Sequence, residues 1–554
     1  MRVWNMGNTT ARNPLRLREA LKLFVTNMSG RPFKKLEQIE FQVAMIEAGL
    51  VNSQRLTGDD GGRKFASAFK QLGFVTDWSK GQPWSITSVG QLLIDHPEIE
   101  ETIFLRQLLK YQIASPLEKA RTQNFRIRPF RFLLHLLKQA HDMGLVGLTL
   151  AEIGLYVITT LDEHNSTTQT TFSNIQAFRT EYDRLSGRVA KTAFAKGGLK
   201  KVTETLGLVQ NTLEDYADSS SRYALMSGLL TLRGNKLAIS EARLPFVETI
   251  LADGSTLLPD HEYLPYFYNP DLPSLPTDNL FFVKNETIKL KQLIELTTSL
   301  GEPLELPNPS LWETLPELQA YEIRLRDKLR EIREIQFYYT QRSTAALDEI
   351  EQLLEDIQEN TLIGKQLYAP AFFEWAIWRL FLAINSIVGP ISNTRGFKVD
   401  EDINPVHHAQ GGAADLTFTY DTFILVCEMT LASGSRQFAM EGEPVTRHVF
   451  KAMQRNDQKL VYGLFVANKL DPNTVDAFHK ARYWKDFKRS ISTPIIALET
   501  KHVLALLHCI RTREITATDI QKLLETLLAI QIWHDNGPSW YEAYTELFEQ
   551  WLRS

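Results

Sequence analysis

The chain has 554 residues, of which 44% are hydrophobic, 10% aromatic and 23% charged, with a formal net charge of -5. A chain this long exceeds the roughly 250 to 300 residues at which one core stops growing, so three or four domains are expected. No apolar run approaches the ~20 residues of a membrane helix, and the opening MRVWNMGNTTARNPLRLREALKLF lacks the apolar stretch of a cleaved signal, so the expected compartment is the cytoplasm, with no membrane partner.

Only two cysteines occur, Cys427 and Cys509, which argues against a disulfide framework or a thiolate zinc site. Both read as small buried hydrophobes. Charge is unevenly spread: residues 1 to 250 carry 32 Lys and Arg against 24 Asp and Glu, and residues 251 to 554 carry 29 against 42. The first half is the better partner for a polyanion, and the acidic second half could hold divalent cations.

In chain order, LRLREALKLFVTNM and KKLEQIEFQVAMIEAGL have helical periodicity, and GGRKFASAFKQLGF reads as a third helix entered through glycines. Two short β-prone runs follow, Phe74 to Trp78 and Pro83 to Ile86, separated by the turn-forming SKGQ and followed by another helix. Helices and then a two-stranded hairpin give the order of a winged helix, a module that docks a helix on DNA or serves as a protein-interaction surface.

A second helical block opens with Arg121, Arg126, Arg128 and Arg131 interleaved with Phe125, Phe130 and Phe132. Guanidinium forks in such a cluster suit phosphate contact, although an Arg-rich solvated face over a Phe core reads equally well. Thr149 and Glu152 fit a capping box, so a helix begins near Leu150 and forms a helix-turn-helix with the one before it. The Arg- and Lys-bearing RVAKTAFAKGGLKKVTETLGLV leads to two β-prone runs flanking RGNK, which read as a second wing. From about 255 to 308 the chain is rich in Pro, Asp and Asn and reads as a domain boundary. Residues 310 to 358 are helical and charged, and from about 361 helix alternates with strand, as in an α/β domain.

That last block holds four notable acids. Glu374 is the only acid in APAFFEWAIWRLFLAI, Asp415 and Glu428 flank a hairpin, and Glu441 lies in RQFAMEGEPVTRHVFKAM. If the chain reverses at Tyr420 to Phe423 through a loop with an even number of residues, Asp415 faces Glu428. Leu416, Phe418 and Tyr420 then share one face with Cys427, Leu425 and Phe423, and the two acids share the other with Thr417 and Thr419. A loop one residue longer or shorter would separate the acids. Facing like charges destabilise a strand pair, and Mg²⁺, which favours one or two carboxylates plus water and phosphate oxygens, removes the repulsion. This is the arrangement of a metal-dependent nuclease.

An acid, a hairpin and a second acid on the returning strand resemble the PD-(D/E)xK nuclease core, with Ala414 in place of the motif proline and Thr430 in place of its lysine. More specifically, FFEWAIW, DEDINPVHHAQGGAADLTFTYDTFILVCEMT, QFAMEGEPVTRHV and the opening MGNTTARNPLRL resemble the AlwI-type restriction endonucleases, relatives of the BstNBI nicking enzyme, in which Thr at that position is usual. The resemblance implies that Asp415, Glu428 and Glu374 are Mg²⁺ ligands. It also implicates Glu441, for which Glu443 could substitute, with His448 as proton carrier or phosphate contact and Arg447 beside it as a phosphate contact. His407 and His408 are weaker metal candidates, because adjacent residues on extended chain point apart.

The fold class implied is a multidomain α+β protein. Winged-helix or helix-turn-helix recognition modules (1–135 and 136–255) and a helical linker (256–360) precede an α/β PD-(D/E)xK nuclease domain (361–554). The resemblance implies a type IIS design, reading a short asymmetric site on double-stranded DNA and cutting at a fixed distance. Candidate DNA contacts are Arg12, Arg63, Lys64, Lys70, Arg121, Arg126, Arg128 and Arg447. One cutting site per chain calls for a second copy or a separate small subunit to cut the other strand. The bacterial host would carry a cognate DNA methyltransferase. The rivals are a strand-specific nicking enzyme, the large subunit of a heterodimeric cutter, and a non-catalytic winged-helix regulator.

Overall fold

The computed structural model describes residues 3–9, 11, 13–51, 60–76, 83–117, 124–233, 236–298, 314–359, 368–384, 386–406, 408–409, 413–456, 458–484 and 489–553. Arg12, Trp78, the SKGQ turn, Arg121, the centre of RGNK and His407 lie outside them. The chain is mixed α/β, mostly helical, and divides into two compact units, Met1–Lys291 with Glu305–Ile323, and Gln292–Leu304 with Arg324–Ser554. Among the described residues no helix is long and apolar enough to cross a membrane.

The first unit begins with α1 (Leu17–Met28), α2 (Lys35–Glu47) and α3 (Asp60–Gln71). Leu17, Ala20, Leu21, Phe24 and Met28 recur at helical spacing on α1 and are buried. Phe24 meets Phe41 of α2 at 5.0 Å and Phe69 of α3 at 5.6 Å between ring centroids, which centres a small aromatic core. Helix α3 needs Gly62 for this packing, since a Cβ there would lie 2.0 Å from the Gln38 carbonyl oxygen. Val75 and Ile86 then form an antiparallel bridge, with Thr76 N–H donating to Ser85 O at 2.9 Å. Next come α4 (Ser88–Asp95), capped by the Thr87 hydroxyl, and α5 (Glu100–Lys110).

The second part of this unit runs α6 (Pro129–Asp142), β1 (Leu148–Thr149), α7 (Leu150–Glu152), a π-turn at Ile153–Val157, α8 (Asn165–Arg184), α9 (Arg188–Thr205) and α10 (Thr212–Leu225). The hairpin β2 (Leu230–Arg233) and β3 (Lys236–Ile239) follows, then α11 (Leu244–Leu251), α12 (Asp260–Phe267) and α13 (Leu280–Thr298) as far as Lys291. The sheet is antiparallel in the order β1-β3-β2, with Leu237 opposite both Leu148 and Leu232. The capping box forms as expected: Glu152 N–H donates to the Thr149 hydroxyl at 3.2 Å, and Thr149 N–H to Glu152 Oε2 at 2.7 Å.

Two long-range ties hold this unit together. Near the start of the chain, Trp4 and Met6 are 1% exposed, and Met6 N–H donates to Ser220 of α10 while Ser219 returns a bond to Met6 O. The Pro-rich stretch after α12 is bound to α5. Arg106 donates to Asp271 O and Pro273 O, Gln107 to Phe267 O, and Lys110 to Asn269 O.

The second unit contains α14 (Leu315–Thr340) from Arg324 onward, α15 (Thr344–Gln358) and α16 (Tyr368–Ile384). The hairpin β4 (Leu416–Thr419) and β5 (Phe423–Thr430) leads into α17 (Ser435–Arg455), β6 (Leu460–Ala467), α18 (Pro472–His479), β7 (Arg482–Trp484), β8 (Ser490–Ser492) and β9 (Ile495–Glu499). Helices α19 (Thr500–Thr512), α20 (Ala517–Ala529) and α21 (Gly537–Arg553) follow. The sheet order is β4-β5-β6-β9, antiparallel at the hairpin and parallel beyond it. A further antiparallel bridge joins Arg395 to Leu416 at the β4 edge. Ile424 and Val426 of β5, Val461 and Phe465 of β6 and Ile495 of β9 pack with Val445 and Val449 of α17 and Phe478 of α18 in one core. On the hairpin's other face Phe418 meets Phe381 of α16 at 5.2 Å. Cys427 and Cys509 are buried and unpaired with each other.

Candidate active site

The hairpin turns through two residues: Tyr420 N–H donates to Phe423 O at 2.9 Å, and Leu416 lies opposite Cys427, Phe418 opposite Leu425. Carried one residue beyond β4, this register sets Asp415 opposite Glu428. Burial alternates along β4, with Leu416 and Phe418 inside and Thr417 and Thr419 partly exposed. The two acids therefore share the face of Thr417 and Thr419, which on β5 also carries the buried Ile424 and Val426. Asp415 Oδ2 accepts from Met429 N–H at 2.8 Å, and the Asp415 main chain hydrogen-bonds the Glu428 carboxyl.

Glu374 projects from α16 and is 4% exposed. Its Oε2 accepts from Ala409 N–H at 2.7 Å. The loop that delivers Ala409 is fixed one residue from Glu374, because Trp375 Nε1 donates to the carbonyl of Ile403 at 2.9 Å. Ile403 itself has φ of 62°, a left-handed conformation that a β-branched residue adopts only when its surroundings impose it.

Gly434, at φ of 59°, turns the chain from β5 into α17. Glu441 and His448 are seven residues apart and so share one helix face, which meets the strand face bearing Glu428 and Thr430. His448 Nδ1 and Glu428 Oε1 share a hydrogen bond of 2.6 Å, and both side chains are buried. His448 Nε2 is buried and has no hydrogen-bond partner among the described residues. The Thr430 hydroxyl bonds the Glu441 carboxyl.

These groups feel one another strongly. Burial, and then the charge of Asp415, hold the Glu374 carboxyl well above the usual carboxylate range, with Glu428 adding to the effect. Burial and the Glu428 charge do the same to Asp415, and burial and Glu441 to Glu428. Glu441 is raised by burial, against the Thr430 hydrogen bond that lowers it. Burial lowers His448, helped by the Arg447 charge, which favours the neutral imidazole. Three carboxylates with hard oxygen donors suit a divalent cation. Among the described residues no three His, Cys, Asp or Glu side chains are already gathered as a metal-binding cluster.

The other sequence candidates fall elsewhere. Glu443 is exposed and turned to Arg447, whose Nε donates to it at 2.9 Å, so Glu441 alone of the two faces the acids. His408 precedes the anchoring Ala409 and is half-buried. Arg63 is exposed on α3, while Lys64 and Lys70 are half-buried. Arg126 is exposed and donates to Phe125 O. Two arginines of the Phe-interleaved cluster are corrected by their partners. Arg128 bonds Glu163 and Ser255, and Arg131, 4% exposed, bonds Asp253, so both guanidinium groups brace the fold rather than stand open to phosphate. Phe125, Phe130 and Phe132 are core residues. Sequence reasoning missed the main-chain anchors at Ala409 and Met429, which carry no side-chain signal.

A model of the AlwI restriction endonuclease family matches residues 70–506. No curated protein matches the chain. Among solved structures, the chain is similar to the small subunit of the heterodimeric restriction endonuclease R.BspD6I, with 22% identity over 37% of this chain and 98% of that one and a TM-score of 0.30. It is also similar to the BpuJ1 endonuclease binding domain in complex with modified DNA, with 13% identity, 46% and 91% coverage and a TM-score of 0.31. The restriction endonuclease FokI gives 12% identity, 95% and 99% coverage and a TM-score of 0.25.

Proposed function

The chain belongs to the AlwI restriction endonuclease family, a family of site-specific nucleases, and from that premise we propose that it is a type IIS enzyme. It reads a short asymmetric site on double-stranded DNA through its first half and hydrolyses phosphodiester bonds at a fixed distance through residues 361–554. The observation that carries this is that the charges of Asp415 and Glu428 bear on the buried Glu374 carboxyl, that of Glu428 on Asp415, and that of Glu441 on Glu428. Burial and these neighbouring charges raise the proton affinity of Glu374, Asp415 and Glu428, an arrangement that costs stability unless a cation joins it.

Glu374, Asp415 and Glu428 would hold Mg²⁺, with one oxygen of each fixed by Ala409 N–H, Met429 N–H and His448 respectively. When bound, the ion supplies Lewis-acid polarisation of the scissile phosphate and a water of lowered pKa. The chain's own residues do the rest. His448 Nε2 accepts a proton, and Glu428 on Nδ1 fixes the ring orientation and tautomer. Thr430 occupies the position of the motif lysine, and Glu441, which it hydrogen-bonds, would orient the attacking water. The sheet supports the PD-(D/E)xK reading, because an acid-bearing hairpin is followed by a helix and a strand parallel to the second hairpin strand. In the first unit, helix α6, then β1, and later the β2-β3 hairpin in the order β1-β3-β2 support the winged-helix reading.

Supercoiled plasmid incubated with the protein, with and without Mg²⁺ and beside Asp415→Ala, tests the proposal. Linear product that needs Mg²⁺ and Asp415 supports it, with a second copy or a separate small subunit cutting the other strand. Accumulation of open circles identifies a strand-specific nicking enzyme. Specific binding without cleavage at any metal concentration overturns it. Sequencing the ends gives the site and its offset.

A further inference from the structure

We propose that the exposed face of α9, built on Ala193, Lys196, Gly197, Lys200 and Lys201, is the surface of the first unit that enters the DNA major groove. This rests on the reading of the chain as a DNA-binding restriction endonuclease. In a winged helix the reading helix is expected just before the β2-β3 hairpin, which here is α10. That helix cannot serve, because Ala217 to Leu225 are buried without interruption. Helix α8 is exposed but its arginines are committed, Arg179 to the buried Glu152 and Arg184 to Glu181.

Helix α9 has the opposite character. One stripe, Ala195, Leu199 and Thr203, is buried, and Leu199 and Gly198 pack against Gly154 and Leu155 of the π-turn. Phe194 stacks on Phe178 of α8 at 5.2 Å, and Lys191 covers the Tyr182 ring at 5.2 Å. The helix is thus fixed on two sides. At 100° per residue Ala193, Lys196, Gly197, Lys200 and Lys201 all fall on the remaining side. Five basic residues stand against one acid, Glu204, along the helix. That acid lies 4.0 Å from Lys200, while among the described residues no carboxylate pairs with Lys196 or Lys201. Gly197 is the second sign. Glycine inside a helix costs about 1 kcal/mol relative to alanine, and a Cβ at this position would touch none of the described residues. No internal packing accounts for it. A glycine facing outward between lysines, with the small Ala193 one turn before it, lets an external backbone come close, as phosphate and base edges do when a helix lies in the groove.

The test measures binding of the full-length protein in EDTA, by fluorescence anisotropy, to two labelled duplexes. One carries the site mapped from the plasmid digestion and the other a scrambled sequence of equal length. Each is titrated across salt. The triple variant K196A/K200A/K201A should bind at least ten-fold more weakly and lower the slope of log K against log salt by about one for each phosphate it no longer neutralises. Gly197→Trp should lose the preference for the site duplex while melting no lower than wild type, since a Cβ at this position meets none of the described residues and glycine is the weaker helix former. A control triple on exposed lysines of the second unit, K469A/K480A/K522A, should bind within two-fold of wild type. Wild-type affinity and slope in the α9 triple overturn the proposal alone, as does an equal loss in the control, which would mark a generic charge effect. Failure of the wild type to bind either duplex overturns the nuclease reading and this proposal together.

Discussion

Asp415→Asn tests whether the acids are held in readiness for a cation. The amide keeps the shape of the side chain and an oxygen to accept from Met429 N–H, and it removes a charge facing Glu428. Facing Cβ atoms in an antiparallel pair lie about 5 Å apart, where two unit charges at an effective dielectric of about 20 repel by about 3 kcal/mol. Proton uptake by the raised carboxyls relieves part of that, and exchanging a charge-assisted hydrogen bond for a neutral one costs about 1 kcal/mol. A net gain of about 1 kcal/mol remains at pH 8 without metal, which for a unit of this size raises the melting temperature by about 2 to 4 °C. The pH dependence has a defined sign. Because the folded-state values lie above the unfolded ones, the folded wild type binds protons that the unfolded chain releases. This contribution is complete below about pH 4, where the unfolded carboxyls titrate, and is lost as pH rises through the raised values. The variant, with one such group fewer, should gain on the wild type across that range. Saturating Mg²⁺ should reverse the order, since the wild type binds it more tightly and is stabilised in proportion. Melting curves in EDTA and in Mg²⁺ at several pH values decide the matter. A variant that melts below the wild type at pH 8 in EDTA, with a gap indifferent to Mg²⁺, refutes the reasoning.

Glu374→Gln should slow plasmid cleavage by about 10²-fold or more with duplex binding unchanged, as removal of one transition-state electrostatic partner does elsewhere. Thr430→Val deletes the hydroxyl that lowers the Glu441 carboxyl, so the acidic limb of the pH–rate profile should move to higher pH. Arg128→Ala leaves Glu163 enclosed without its partner and should cost about 3 kcal/mol in denaturant unfolding, with no change in the salt dependence of DNA binding. Thr149→Ala removes one side of the capping box and should cost about 1 kcal/mol in the same assay.

What could be read ahead of the structure was local. The hairpin register followed from alternation along Leu416 to Tyr420 on the condition of an even loop, and the pairs from Leu416–Cys427 to Thr419–Ile424 have it. The capping box at Thr149 followed from a spacing of three. Partners distant in sequence were not legible. Nothing near Arg128 announces Glu163, 35 residues away, and nothing near Arg131 announces Asp253, so two arginines of a cluster that suited phosphate have internal partners. The anchor of Glu374 is an alanine N–H, a donor that every non-proline residue owns and that no pattern marks. The open face of α9 was equally hidden, because its meaning depends on which stripe Gly154 and Phe178 cover.

The clasp between α5 and the chain after α12 has a consequence for how this region can vary. Arg106, Gln107 and Lys110 hold the segment by its main-chain oxygens between Phe267 and Pro273. Oxygens of that kind are offered by every amino acid, so replacing exposed side chains there leaves the attachment intact. Inserting or deleting one residue instead slides the carbonyls out of step with the three donors and strands them together. Homologues and libraries should therefore tolerate free spelling in this stretch and hold its length constant.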